Sequence, residues 1–459
     1  MRSHALDNLT RREVLRAGLA VGGGLVLAST IEVPGVMERA VYAAAVENAG
    51  GGEPIGLVHL QGGHDGLSTV VPLTDGLEAV RPGDANDLIQ GALDAGTRLT
   101  RDFALHPSLT AIARRFREGH VAVLMDVGYP MASRSHEQAT WIWQTGDPSS
   151  RQVSGAFGRV AARVEPQGRP LALAGLGGQG APAMLRGQRP VAVLPRDPAA
   201  FAFKGAAEQA LGTLWKSGVA GPFGQALTDC MATARDTGAQ VRAMAAGYRA
   251  QARYDDAAGT PPFQSRNDLS CDLQVAAALI KGGSAPAVFH ATHGGWDTHA
   301  NQQARQADLL RQLDQAIDAF LTDCAAAGGS PTIVTWSEFG RTVRFNSSGG
   351  TDHGDASPVL VIGQNVSGGI YGSRPNLTGY DVPMQTDFRS VYATLIEHMG
   401  VDPKVVVGAF APLPFLRGPG PPATAPPPPS PGAPAPATPP ATPQPPPPSP
   451  VTPASGARP

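Results

Sequence analysis

Between residues 290 and 302 the chain reads HATHGGWDTHANQ, which sets His290, His293, Asp297 and His299 within one short stretch. Imidazole nitrogens and carboxylate oxygens are donors that divalent metals take, and an ion needs three or more of them from the protein. The plainer reading is a polar loop between a strand and a helix. In that reading Asp297 accepts hydrogen bonds from the first amides of a helix beginning near Thr298. Capping accounts for Asp297 alone. His293 and His299 have no capping role and fall on no apolar face, whereas His290 belongs to the end of the preceding strand and reads as structural.

Further polar groups stand beside other apolar runs. Asp65 follows one in LQGGHDGL, and Ser135 and His136 lie beyond a second in MASRSHEQATW. Glu338 and Arg341 close a third in VTWSEFGRT, and Asp352 and His353 precede a fourth in GGTDHGDASPV. Each has its own ordinary explanation: a turn residue, a helix N-cap, or incidental polarity in a glycine turn. Taken together, Asp65, His293, Asp297, His299, Glu338, Asp352 and His353 offer enough oxygen and nitrogen for one or two divalent ions. Donor type alone does not choose among zinc, manganese and calcium. At a helix N-terminus, Ser135 would be a nucleophile whose product anion the helix amides bind, assisted by Arg134 or His136. Arg341 would either clamp a tetrahedral oxyanion through two N–H groups or neutralise Glu338.

Such groups act together only if the fold brings them together. The run Ile55 to Leu60 breaks into glycines and reads as a buried strand, and Ser108 to Glu118 reads as a helix followed by a strand at Val121 to Asp126. Later come a helix closed by Gly282 and Gly283, a strand from Ala287 to Thr292, a long amphipathic helix, and the strands PTIVTWSE and PVLVIG. Strands alternating with helices predict an α/β fold with a doubly wound, mostly parallel sheet and helices on both faces. Sites in such sheets form where loops leave the carboxyl ends of strands, which is where most of the polar groups fall. The stretch from about 150 to 270 is expected to be an inserted cap, with short strands and then helix.

Lys plus Arg number 36 against 38 for Asp plus Glu, with neither sign in blocks, so nucleic acid is not an expected partner. Cys230, Cys271 and Cys324 are far apart with no C-x-x-C spacing, which argues against a thiolate metal site or a disulfide framework. The beginning, LTRREVLRAGLAVGGGLVLAST, pairs Arg11 and Arg12 with an uncharged run that is too short and too glycine-rich to span a bilayer. It resembles a twin-arginine export signal covering residues 1–45, with cleavage after Ala45 or Ala43, and so predicts a periplasmic or extracellular location. From about Gly418 the proline-rich sequence predicts a stiff, solvated tail that could contact the cell wall, leaving residues 53–417 as the structured domain.

The segments LQGGHDGLSTVVP, SRSHEQATW, GGWDTHANQ, WSEFGRT and GGTDHGDASPVLVIG occur in this order. Over residues 54–401 they resemble the bacterial family called domain of unknown function 1501, which is similar in fold to the alkaline phosphatase and sulfatase superfamily. The resemblance implies that Asp65 is the superfamily's first-strand ligand, Ser135 its nucleophile, and Asp297 with His299 or His293 its Asp and His pair. Motif spelling alone would equate TDHG with the superfamily's Asp-His-Gly, whereas strand order, the version favoured, sets Glu338 and Phe339 where the superfamily has Asp and His and lets Asp352 and His353 supply the final histidine. Phe339 removes one ligand. Asp387 reads as a helix cap and, with His398, falls outside the site. The implied function is an exported, metal-dependent hydrolase of phosphate or sulfate esters. The alternative is a non-catalytic envelope protein that binds anionic glycan or lipid headgroups.

Overall fold

The opening apolar run forms strand β1 (Ile55–Gln61), buried at every position but the last, as befits an interior strand covered on both faces. After it come β2 (Val70–Pro72), β3 (Phe103–Leu105), β4 (Val121–Gly128), β5 (Leu173–Leu176), β6 (Ala192–Leu194) and β7 (Val288–Gly294). The strands end with β8 (Thr332–Trp336), β9 (Ser357–Ile362), β10 (Gly369–Tyr371) and β11 (Thr386–Asp387). The computed structural model describes residues 53–165, 168–200, 222–254 and 260–418. The expected export segment, the proline-rich tail and residues 201–221 lie outside them.

Nine of the strands form one sheet in the order β10-β4-β9-β8-β1-β7-β5-β6, with β11 beside β4. β1 runs parallel to β7 and β8, while β9 runs antiparallel to both β8 and β4. One consequence fixes the site. The carboxyl ends of β1, β4, β7 and β8 share an edge with the amino end of β9, so the loop that delivers Asp352 and His353 must precede its strand rather than follow it. β2 and β3 form a separate antiparallel ribbon.

Among the helices described around the sheet are α1 (Thr110–Arg117), α2 (His136–Thr145), α3 (Ala156–Val164), α4 (Pro222–Gly247), α5 (Asp268–Lys281), α6 (Gln302–Ala325) and α7 (Phe388–His398). Because side chains alternate along a strand, β1 feeds two cores. Val58 and Leu60 pack with Ile112 of α1, Leu273 of α5 and Leu310 of α6. Ile55 and Leu57 pack with Trp143 of α2, Phe157 of α3 and Leu395 of α7. The expected α/β sheet with helices on both faces is therefore present.

Part of the stretch from 150 to 270, where an inserted cap is expected, joins the sheet and its flanking core. β5 pairs in parallel with β7 and β6 with β5, so these two short strands lengthen the sheet, and α3 belongs to the second core. The short apolar runs LALAGL and VAVL give β5, between β7 and β6, and β6 at the sheet's edge; both are too brief to show a period. No helix among the described residues is long and apolar enough to cross a membrane.

Candidate metal centre

Four loops meet at the shared edge. The β1 loop turns through Gly62 and Gly63 at φ of 125° and 79°, backbone that favours glycine. A Cβ on Gly62 would lie 2.3 Å from the amide nitrogen of Asp297, and one on Gly63 would lie 2.4 Å from the Phe339 ring. The loops after β1, β7 and β8 are thus stacked at a distance only glycine permits. Arg341, almost wholly buried, fastens them. It donates to the carbonyls of Gly63 at 2.6 Å, Thr351 at 2.8 Å and Trp296 at 3.1 Å, to that of Gly62, and to Asp297 Oδ1 at 2.7 Å.

Asp297 is the centre on which histidines from three loops converge. Its Oδ1 lies 3.0 Å from His299 Nε2 and 3.2 Å from His353 Nε2, and its Oδ2 lies 3.5 Å from His136 Nε2. One donor atom each from His136, Asp297 and His353 falls within 4.8 Å of the others. His299 Nε2 also stands 3.0 Å from His353 Nε2. Phe339 forms the floor, with ring centroids 4.9 Å from His136 and 4.4 Å from His353.

The outer nitrogen of each ring decides what the inner one can do. His136 Nδ1 faces Glu338 Oε1 at 2.8 Å, His353 Nδ1 faces the Arg134 carbonyl at 2.8 Å, and His299 Nδ1 faces Asp352 Oδ1 at 3.3 Å. All three partners are oxygens that only accept, because hydrogen bonding also holds the Asp352 carboxyl below its ordinary pKa. Each Nδ1 must therefore carry the proton, and in the neutral ring each Nε2 presents a lone pair. Three lone pairs and a carboxylate then point into one space, two of the lone pairs 3.0 Å apart. Without extra protons or a cation this is repulsive; a divalent ion, for which neutral imidazole and carboxylate are ordinary ligands, answers it. The donor set fits a metal.

Glu338 is fully buried, and both oxygens are occupied: Oε1 by His136 and by the Gly62 amide at 2.9 Å, Oε2 by His59 Nε2 at 3.0 Å. Burial alone would raise its pKa, but the hydrogen bond and charge of His59 and the hydrogen bond from His136 outweigh this and hold it at about 2. For Asp297 burial likewise pushes up, and the hydrogen bond and charge of Arg341 help bring the pKa below its usual value.

Several expected roles change. Glu338 and Asp352 orient histidines instead of lining the donor cluster. Asp65 is buried against the guanidinium of Arg81, with 2.6 Å to Oδ2 and 3.0 Å to Oδ1, and also accepts from Ser68 and Gln302. Its acceptor sites are taken by these partners, and it is not hydrogen-bonded to His136, Asp297, His299 or His353. Burial would raise the Asp65 pKa; Arg81 more than reverses this. His293 packs edge-on against Trp296, faces Gln312 at 3.3 Å, and is lowered to about 4 by burial; it joins the core on the α6 side. Arg341, with its donors committed to carbonyls and to Asp297, neither neutralises Glu338 nor has a free pair of N–H groups for an oxyanion. Ser135 caps α2, its hydroxyl accepting from the Gln138 amide, and forms no hydrogen bond to the cluster. His290 is buried within β7, and Asp387 caps α7.

Sequence reasoning missed His59 and Arg81 and gave His136 too small a part. For His59 a signal existed: it is the one titratable residue in the otherwise apolar run of β1. Arg81 carried none, since a surface arginine after a short helix looks the same.

Residues 223–418 match the family model described as protein of unknown function (DUF1501), a span that holds Asp297, His299, Glu338, Asp352 and His353. No curated protein matches the sequence. Among solved structures, the alkaline phosphatase from the Antarctic bacterium TAB5 is similar at 11% identity and a TM-score of 0.31, covering 70% of this chain and 94% of that one.

Proposed function

We propose that the protein is a divalent-metal-dependent hydrolase of phosphate or sulfate esters. The observation that carries this reading is the convergence of His136, His299 and His353 on Asp297, each ring turned by an outer acceptor so that Nε2 faces inward. His136, Asp297 and His353 would hold the metal, with His299 as a fourth donor. The ion would supply positive charge to bind an anionic ester and to offset charge that develops as the ester is cleaved. Glu338 and Asp352 keep the rings in register, and Phe339 keeps water from the floor of the cluster. Ser135 serves this reading as the cap that starts α2 and so places His136.

A second reading has its own support. With Ser135 capping a helix and Arg341 committed to loop carbonyls, the two residues expected to attack and to clamp an ester each have a structural role here. That suits a binder of anionic glycan or lipid headgroups. Aryl phosphate and aryl sulfate turnover, measured with added zinc, manganese or calcium, separates the two. Metal-dependent turnover lost in His353→Ala supports the hydrolase. Anion binding without turnover supports the binder.

Export belongs to the same proposal, since the twin-arginine pair and the small residues at Ala43 and Ala45 suit a protein that folds before leaving the cytoplasm. Replacing Arg11 and Arg12 by lysine should retain the protein in the cytoplasm; unchanged secretion would rule the signal out. Contact of the proline-rich tail with the cell wall is proposed on composition alone.

A further inference from the structure

We infer that His59, buried one layer beneath the cluster, is a positioning residue for His136 and acts through Glu338. The inference rests on the metal reading of the cluster and extends it to a residue that touches none of the converging donors. His59 is almost fully buried in β1, with its ring stacked on Trp336 at 3.8 Å and 3° between planes. Its Nε2 meets Glu338 Oε2 at 3.0 Å, and the other oxygen of that carboxylate meets His136 Nδ1 at 2.8 Å. Among the described residues, Ser337 Oγ, at 3.3 Å, is the only other side chain hydrogen-bonded to Oε2, and it already donates to the Leu60 carbonyl at 2.8 Å.

A carboxylate pivots unless both oxygens are tied. Oε1 is tied by the Gly62 amide and by His136 itself, so the imidazole cannot fix the group that is meant to fix it. His59 supplies the independent anchor on Oε2, and the Trp336 stack fixes His59 in turn. The path runs Trp336, His59, Glu338, His136, and ends at the Nε2 that faces Asp297 at 3.5 Å. A leucine would fill this interior strand position at less cost in desolvation. A polar ring there makes sense if its N–H holds Glu338. Outer partners of this kind set tautomer and ring direction, and losing one commonly weakens metal binding 10- to 100-fold, on the order seen for carboxylate–histidine pairs in general.

Two variants of the full chain test this. His59→Phe keeps a ring on Trp336 and removes the N–H; His59→Gln gives up the stack and keeps a donor of similar reach. Long-range proton–nitrogen correlation on metal-free protein reads the His136 tautomer directly, and zinc titration reads affinity. Circular dichroism checks that both variants fold. The expected result is a pure Nδ1–H tautomer in the wild type and in His59→Gln, and a mixture in His59→Phe. Zinc affinity should fall about 10- to 100-fold in His59→Phe and stay within about threefold in His59→Gln. An unchanged tautomer and affinity in His59→Phe would overturn the inference, and so would equal loss in both variants. If the wild type binds no zinc, the metal reading fails while the tautomer comparison still decides the role of His59.

Discussion

The guanidinium of Arg341 donates to Asp297 Oδ1 at 2.7 Å while its remaining N–H groups reach the carbonyls of the loops after β1 and β7 and of Thr351. One buried cation thus fixes the carboxylate at the centre and the backbone around it. A planar fork with five donors can do this, and an ammonium cannot.

Arg341→Ala should therefore destabilise the protein by about 3–5 kcal/mol, as expected when one partner of a buried charged network is removed. Arg341→Lys should recover less than half of the loss. Thermal unfolding measures both, and a lysine variant as stable as the wild type would show that charge alone suffices.

Asp65 and Arg81 form a second buried pair, 2.6 Å apart, separate from the donor cluster. Asp65→Asn should cost about 3 kcal/mol and leave metal affinity unchanged. Because the folded pKa lies below the ordinary carboxylate value, the stabilisation is present above the unfolded pKa and is lost as pH falls through the folded one. Loss of metal binding in Asp65→Asn without loss of stability would restore Asp65 as a ligand.

Asp126 gives the opposite sign. It sits at a bulge in β4 with φ of 46°, and burial raises its pKa to about 6 against the pull of a hydrogen bond from Gln385. The folded chain then binds more protons than the unfolded one, so stability falls as pH rises from about 4 to about 6 and levels off above. Asp126→Asn tolerates the left-handed backbone and keeps an oxygen for Gln385. It should be more stable than the wild type by about 1–3 kcal/mol at pH 8 and nearly equal at pH 4. Parallel stability profiles across that range would contradict this.

Much of the fold was legible in the sequence because interior strands are apolar runs and the helices that flank them are periodic. The site was legible by type more than by role. Asp297, His299 and His353 lie together, but nothing in the local sequence tells a ligand from the carboxylate that orients one; Glu338 and Asp352 are the examples. The direction of β9 explains why Asp352 and His353 come before their strand, and a strand's direction is not written in its own residues. Arg81 lies 16 positions from Asp65, and a tertiary pair of that kind leaves no periodic trace. β5 and β6 are three or four residues long, too short for alternation to reveal that they join the sheet.

Ser135 offers a direct choice between two roles. As the cap of α2 its loss to alanine should cost about 1 kcal/mol and change ester turnover by no more than about twofold through the placement of His136. Abolished turnover with unchanged stability would make Ser135 the nucleophile after all.

Whether His136, Asp297, His299 and His353 form a centre for a divalent cation is tested most directly by calorimetric titration with zinc and with manganese. The proteins compared are the metal-free wild type and the double variant His136→Ala/His353→Ala. One ion should bind per wild-type chain, with affinity at least about 100-fold weaker in a double variant that still folds. A wild type that binds neither ion, or a double variant that binds as tightly, would contradict a metal centre at Asp297.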